Sequence, residues 1–204
     1  GHFTLNTELY CCERDSGINN PQKPYLDLFC FSDICNQQLA KMWKRELNIL
    51  PAWLLRPLFN MNGFFSKFFS SCTIHKAEPA RIDRDIHNLL MKSKPHISFT
   101  SEEKALGKRL LEQFGLSTNS KFICLIVRDD AYLNNYLYKN WGYHSYRNGE
   151  IDNFVLAAEE ITKKGYFVFR MGKKVKKPMV TSNPMIIDYA HSSMKNDFMD
   201  IYLG

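Results

Sequence analysis

Two apolar runs, each followed by an arginine, constrain this chain more than any other feature. Phe122-Ile-Cys-Leu-Ile-Val127 is unbroken by any polar residue, and so is Tyr166-Phe-Val-Phe169. Runs of this length bounded by polar turns read as strands, and continuous apolarity suits a central strand buried on both faces of a parallel sheet. Arg128 follows the first run and Arg170 the second. Between them, 153–164 carries the helical stripe Phe154, Leu156, Ala157 and Ile161, with Asp152 as its expected cap and Gly165 as its stop. A third strand is predicted at 185–188, ending in Asp188, and a helix over 195–203. Strand, helix, strand, strand, helix is α/β grammar. It predicts a doubly wound, Rossmann-like unit begun near Lys121 and cut short at Gly204.

Upstream, a helix is expected over Phe3–Arg14, a buried strand over Tyr25–Phe31 and a helix over 33–47. A further helix is predicted from Ile82 to Met91. Thr100-Ser-Glu-Glu103 reads as an N-cap with an acidic first turn, opening a helix that runs through Leu110, Leu111 and Phe114 to Gly115. The polar turn Ser117–Ser120 sets the predicted boundary, giving domains over 1–116 and 117–204, the first incomplete at its start and the second truncated. The stretch 49–69 is dense in Trp53, Phe59, Phe64, Phe65, Phe68 and Phe69, interleaved with Arg56 and Lys67. Two readings stand for it: a core helix or helix pair under a domain interface, and an apolar acceptor or membrane-facing surface.

Hydrophobic residues at 45% and charged residues at 24% predict a packed core and exclude disorder. The net charge of +6 is shared evenly between the halves, so there is no basic arm and no nucleic-acid partner is expected. Anionic small ligands and an anionic membrane surface are compatible with this balance. No stretch reaches the ~20 apolar residues of a membrane span. The six cysteines form no CxxC pair, and Cys30 and Cys35 have no partner at metal-ligand spacing. The expected setting is therefore cytoplasmic and reducing, with buried thiols and no metal. A Walker loop and a GxGxxG turn are both missing from the sequence, which weakens NTPase and dinucleotide readings.

Ligands of open α/β sheets bind beyond the carboxyl ends of the strands. Arg128 and Arg170 stand there, and a guanidinium can fork onto a phosphate with two hydrogen bonds. The alternative for Arg128 is a surface ion pair with Asp129 or Asp130. Gly172 would permit close backbone approach. The loop Trp141-Gly-Tyr-His-Ser-Tyr-Arg-Asn148 crowds His144, Tyr146, Arg147 and Asn148 into a segment without regular period. Lys173, Lys174, Lys176 and Lys177 form a run that is either a solvated face or an attractor for anions.

Several of these segments together resemble the bacterial glycosyltransferases of surface-polysaccharide gene clusters. They are Gly1-His2 with Asn6-Thr-Glu-Leu-Tyr10, Cys35 to Arg45, Val127-Arg-Asp129, His144 to Asn148, Phe169-Arg-Met-Gly172, Ile187-Asp-Tyr-Ala190 and Asp197 to Gly204. Val-Arg-Asp is also similar to the strand-end arginine element of GDP-fucose-using fucosyltransferases. The resemblance implies a GT-B architecture, with two Rossmann-like halves and the nucleotide sugar held mainly by the second. It implies donor binding by Arg128, Asp129, His144, Tyr146, Arg147, Asn148, Arg170 and Gly172. Asn6 and Glu8 fall on the acceptor side, with His2 as the catalytic base. Basic side chains rather than a metal would stabilise the leaving diphosphate, so no cofactor is expected beyond the nucleotide-sugar donor. The acceptor would be a glycan or a lipid-linked sugar, with peripheral contact at the cytoplasmic face of the inner membrane. Two alternatives remain open: a nucleotide-sugar or polysaccharide-binding module without catalysis, and a peripheral membrane interaction protein.

Overall fold

The computed structural model describes residues 2–18, 21, 24–31, 34–75, 85–136 and 142–204. The chain forms two compact units, Gly1–Phe99 and Thr100–Gly204.

In the first unit a π-helical turn, His2–Asn6, leads into α1 (Thr7–Asp15). Next come α2 (Gln37–Glu46), α3 (Ala52–Phe65) and the single turn α4 (Leu89–Lys92). Helix α2 starts where the Asn36 side chain accepts the Leu39 N–H at 2.9 Å. It buries Leu39, Ala40, Met42 and Trp43 and keeps its basic residues outward. Leu9 and Cys12 of α1 pack with Leu89 of α4. The expected strand at Tyr25–Phe31 is reduced to one isolated parallel bridge, Phe29 with Ile49. Leu26 and Leu28 are exposed, so the run has no face to bury and no ladder extends from it. The helix predicted from Ile82 is shorter as well. Residues 82–84 lie outside the described ones, and Asn88 adopts a left-handed φ of 52°, which stops a helix from running through it. Asp85 then caps α4 by accepting the N–H groups of Leu89 and Leu90, each at 2.8 Å.

The second unit begins with α5 (Ser101–Gln113) and continues with β1 (Lys121–Ile126), α6 (Ala131–Tyr136) and α7 (Val155–Lys163). It closes with β2 (Tyr166–Met171), β3 (Ile186–Ile187) and α8 (Asp197–Tyr202). The strands form one parallel sheet in the order β1-β2-β3, with Cys124 opposite Phe169 and Phe169 opposite Ile187. One face buries Val127, Val168 and Ile186 against Ala158 of α7. The other buries Phe169, Tyr189 and Met199, with Leu110, Leu111 and Phe114 from α5 and its C-terminal end packed against them. That second cluster is why α5 belongs with the sheet and the units divide before Thr100 rather than at the Ser117–Ser120 turn.

Two local expectations change, and the direct strand-to-strand order holds. Strand β1 is an edge strand, with Ile123 and Ile126 exposed, and β2 is the central one. Asp152 does not cap α7 but receives the Lys177 ammonium at 2.6 Å. No helix joins β2 to β3. The segment after β2 covers the sheet itself, placing Met179 in the α7-side core and bonding Thr181 and Asn183 to Glu159 of α7. The fold is thus mixed α/β around a small parallel sheet.

Helix α5 opens at the predicted N-cap, and the structure extends it to a capping box: Thr100 Oγ1 accepts the Glu103 N–H at 3.2 Å, and Glu103 accepts the Thr100 N–H at 3.0 Å. Thr100→Ala is expected to cost about 1 kcal/mol in urea unfolding, whereas Thr100→Ser, which keeps the acceptor, costs a few tenths.

Candidate functional site

Arg128 and Arg170 hold matching places in the sequence and different places in the fold. Strand β2 continues through Met171, and Arg170 pairs in register with Leu125 inside the sheet. Its side chain is 1% exposed and lies between two carboxylates. Nη1 donates to Asp188 Oδ1 at 3.3 Å, and Nη2 stands 4.0 Å from Asp129 Oδ2. Those carboxylates in turn hold the loops beyond the strands. Asp129 accepts the N–H of Ala131 at 3.0 Å and of Lys176 at 2.8 Å. Asp188 accepts the N–H of Met179 at 2.9 Å and contacts His191 Nδ1 at 2.8 Å. Arg170 and Asp129, expected as donor ligands, therefore form a buried brace beneath the strand ends. The cavity that Arg170 lines with Val127, Asp129, Gly149 and Lys176 measures about 10 Å³, far too small for a phosphate group.

Arg128 lies beyond the end of β1, half-buried. Its carbonyl accepts the Gly149 N–H at 2.8 Å, which fastens the loop 142–149 to the end of the strand. A Cβ at Gly149 would stand 3.1 Å from Val127 Cγ1 and 3.3 Å from Phe154 Cε2, so a side chain there would push these neighbours back by a few tenths of an ångström. Among the described residues the Arg128 guanidinium has neither a hydrogen bond nor an ion pair, so neither Asp129 nor Asp130 neutralises it. A 3₁₀ turn, Gly142–Arg147, carries the rest of the candidate loop. The His144 ring lies 4.0 Å from the Tyr143 ring. Arg147 donates from Nε to the Tyr146 hydroxyl at 2.9 Å and covers that ring at 5.3 Å. His144 is held below the ordinary imidazole range by loss of solvent, then by the positive charges of Arg147 and Arg128. Both guanidiniums therefore bear on one histidine. Asn148 closes the turn, its N–H bonded to the Ser145 carbonyl at 2.9 Å.

Of the lysine run, Lys173 pairs with Asp197 at 2.6 Å, Lys174 donates to Asn135 at 2.8 Å, and Lys177 meets Asp152 and Glu150. The Lys176 ammonium has no partner among the described residues, while its backbone N–H is fixed by Asp129. Gly172 does not face open space: a Cβ there would collide with the Val175 side chain, so its role is to let the chain fold back after β2. The accessible cations of this edge are thus Arg128, Arg147 and Lys176.

In the first unit, Glu8 Oε1 is engaged by His96, accepting its backbone N–H at 3.1 Å and lying 2.9 Å from Nδ1. Asn6 belongs to the π-helical turn, and the side chain of His2 lies outside the described residues, as does Trp141. Sequence reasoning missed Lys195. Its half-buried ammonium donates to the Ala190 carbonyl at 3.3 Å, and loss of solvent holds it below the ordinary lysine range. Asp188 was legible as a strand-end acid, and its pairing with Arg170 was not.

Comparison with protein-family models, with curated proteins and with solved structures gives no match to this chain.

The two arginines should separate in a stability measurement. Arg170→Met leaves two largely buried carboxylates without their cation and is expected to cost about 3–5 kcal/mol in urea unfolding. Arg170→Lys should recover only part of that, since one ammonium does not span both acids. Arg128→Ala should stay within about 0.5 kcal/mol of the parent.

Proposed function

We propose that this chain is part of a glycosyltransferase of GT-B type. Residues 100–204 hold the diphosphate of a nucleotide-sugar donor, and residues 1–99 serve the acceptor side. The observation that carries the reading is Arg128: a half-buried guanidinium without an anionic partner among the described residues, beyond the carboxyl edge of a parallel sheet. Desolvating a guanidinium without a counter-ion is unfavourable, and an anionic ligand resolves that cost. Arg147 and Lys176 supply further charge, while His144, kept neutral, offers a hydrogen bond rather than a second full charge. The aromatic faces of Tyr143 and Tyr146 give a base or sugar ring a surface to stack on.

In glycosyl transfer the bond between the sugar's anomeric carbon and the diphosphate oxygen breaks, and negative charge builds on the leaving diphosphate. Fixed cations aimed at that oxygen lower the barrier more than they stabilise the bound donor. Arg128 and Arg147 take this role. Asp129 does not take part directly, because its carboxylate is committed to Arg170 and to two backbone N–H groups. Its contribution is to place Lys176. A diphosphate-binding module without catalysis would use the same residues, and turnover separates the two.

Calorimetric titration with UDP, GDP and CMP is the test. One nucleoside diphosphate should bind, and Arg128→Ala should weaken it by about tenfold to a hundredfold, the worth of a charge-assisted hydrogen bond. Lys176→Ala should weaken it less. Unchanged affinity in Arg128→Ala would overturn the assignment of the site.

A second reading concerns contact with an anionic membrane surface, and α3 favours it. None of its residues is buried, Trp53 is 77% exposed, and Phe68 just beyond it is 68% exposed. No Asp or Glu occurs between Leu47 and Ala77, while Arg56 and Lys67 are present. A largely apolar, exposed helix that is free of acids and carries Arg56 suits the boundary of an anionic bilayer. No helix among the described residues is long and apolar enough to cross a membrane. Sedimentation with phosphatidylglycerol vesicles should pull down the chain whether or not nucleotide is present. Trp53→Ser with Phe68→Ser should abolish the effect, and retention by the double variant would refute the reading.

A further inference from the structure

The first unit contains a cluster that sugar transfer does not use. Helix α1 presents Glu8, Cys12 and Asp15 at i, i+4 and i+7, which is one face. His96 enters against this face from the segment after α4. Its Nδ1 stands 2.9 Å from Glu8 Oε1 and its Nε2 stands 3.0 Å from Asp15 Oδ2. Glu8 and His96 are mostly buried, and Cys12 is fully so.

A neutral imidazole carries one N–H and donates to one acceptor. Here carboxylate oxygens face both ring nitrogens, so either an additional proton, on the ring or on a carboxyl, or a metal ion must stand between them. The neighbouring thiol distinguishes the two. The ligand atoms of Glu8, Cys12 and His96 all lie within 4.8 Å of one another. Beside a shared proton the sulfur would only pack against Leu9 and Leu89, whereas a metal would bind it.

We propose that Glu8, Cys12 and His96 form a zinc site, with Asp15 as the positioning residue that holds His96 through Nε2. A thiolate, an imidazole and a carboxylate are the donors zinc takes in tetrahedral sites. At ordinary zinc–ligand lengths the donor atoms stand about 3.3–3.6 Å apart, so the Glu8–His96 contact opens by about half an ångström to admit the ion. The thiol proton of Cys12 and the proton between His96 Nδ1 and Glu8 both leave to solvent on binding. Asp15 then completes a carboxylate–histidine–metal triad, accepting the remaining ring N–H and aiming Nδ1 at the ion. Three protein ligands leave one coordination position. The ion would tie α1 to the segment after α4, adding to the small apolar contact of Leu9, Cys12 and Leu89. Glu8 is a ligand in this reading rather than an acceptor-side group.

Zinc titration of the chelator-treated full chain, followed by calorimetry, should show one equivalent bound. Cobalt in its place should give a thiolate-to-metal charge-transfer band. Cys12→Ser and His96→Gln should each weaken zinc by more than about a hundredfold, and Asp15→Asn by about tenfold to a hundredfold. The exposed Cys30→Ser serves as the control and should bind as the parent does. X-ray absorption on the zinc-loaded parent chain keeps the test independent of whether a variant folds: one sulfur in the first shell supports the site. A shell of nitrogen and oxygen alone, or a folded parent that binds no stoichiometric zinc, overturns it in favour of a proton shared between two carboxylates.

Discussion

The ends of the parallel sheet depend on one buried guanidinium. Arg170 lies inside the central strand and joins Asp129, after β1, to Asp188, after β3. Taking a guanidinium out of water costs several kcal/mol, which is recovered only when its partners are well placed and themselves fully bonded. The carboxylates meet the second condition, while the guanidinium itself is only partly paired: Nη1 bonds Asp188, Nη2 stands 4.0 Å from Asp129, and Nε has no hydrogen-bond partner among the described residues. Each carboxylate also accepts backbone N–H groups, from Ala131 and Lys176 in one case and from Met179 in the other. The brace therefore fixes the loops beyond the strands as well as the strands. Burial energetics and surface chemistry meet here, because the backbone of Lys176 stands where Asp129 holds it. One accessible cation, Lys176, thus depends on an arginine that does not itself reach the surface.

Most of the elements of the second unit could be read from its sequence because its local signals agree with its tertiary contacts. The N-cap at Thr100, the stop at Gly165 and the apolar runs at 122–127 and 166–169 all yield the elements they announce. What did not follow was the order of strands. An unbroken apolar run fits an edge strand beside a neighbour as readily as a central strand, and nothing local says that Ile123 and Ile126 face outward. The equivalence drawn between Arg128 and Arg170 failed for a related reason. The second strand extends two residues past its apolar run, through Met171, which pulls Arg170 into the sheet. The first ends at Ile126 and leaves Arg128 on the loop.

The first unit was harder to read. Its apolar segments lack a consistent period, so Tyr25–Phe31 suggested a strand that exists only as one bridge. The aromatic stretch around α3 has apolar residues on every side, and no helical face could be singled out as the buried one. The contacts that organise His96 join residues more than eighty positions apart, a separation at which spacing carries no information. Long-range pairing of polar side chains is the part of a fold that sequence pattern does not encode.

Charge shows the same divide between composition and geometry. The four lysines between 173 and 177 are the most visible basic feature of the chain, yet three of them are bonded to nearby side chains. Beyond about 10 Å salt screens an exposed charge, so a bound anion responds to the cations beside it rather than to a net total. The relevant quantity is the set of cations left without a counter-ion where backbone and aromatic surface converge. Among the described residues Arg128 and Arg147 meet that condition beside His144, whose basicity is lowered first by loss of solvent and then by their positive charges. An anion seated there would reverse the field and raise the histidine's proton affinity.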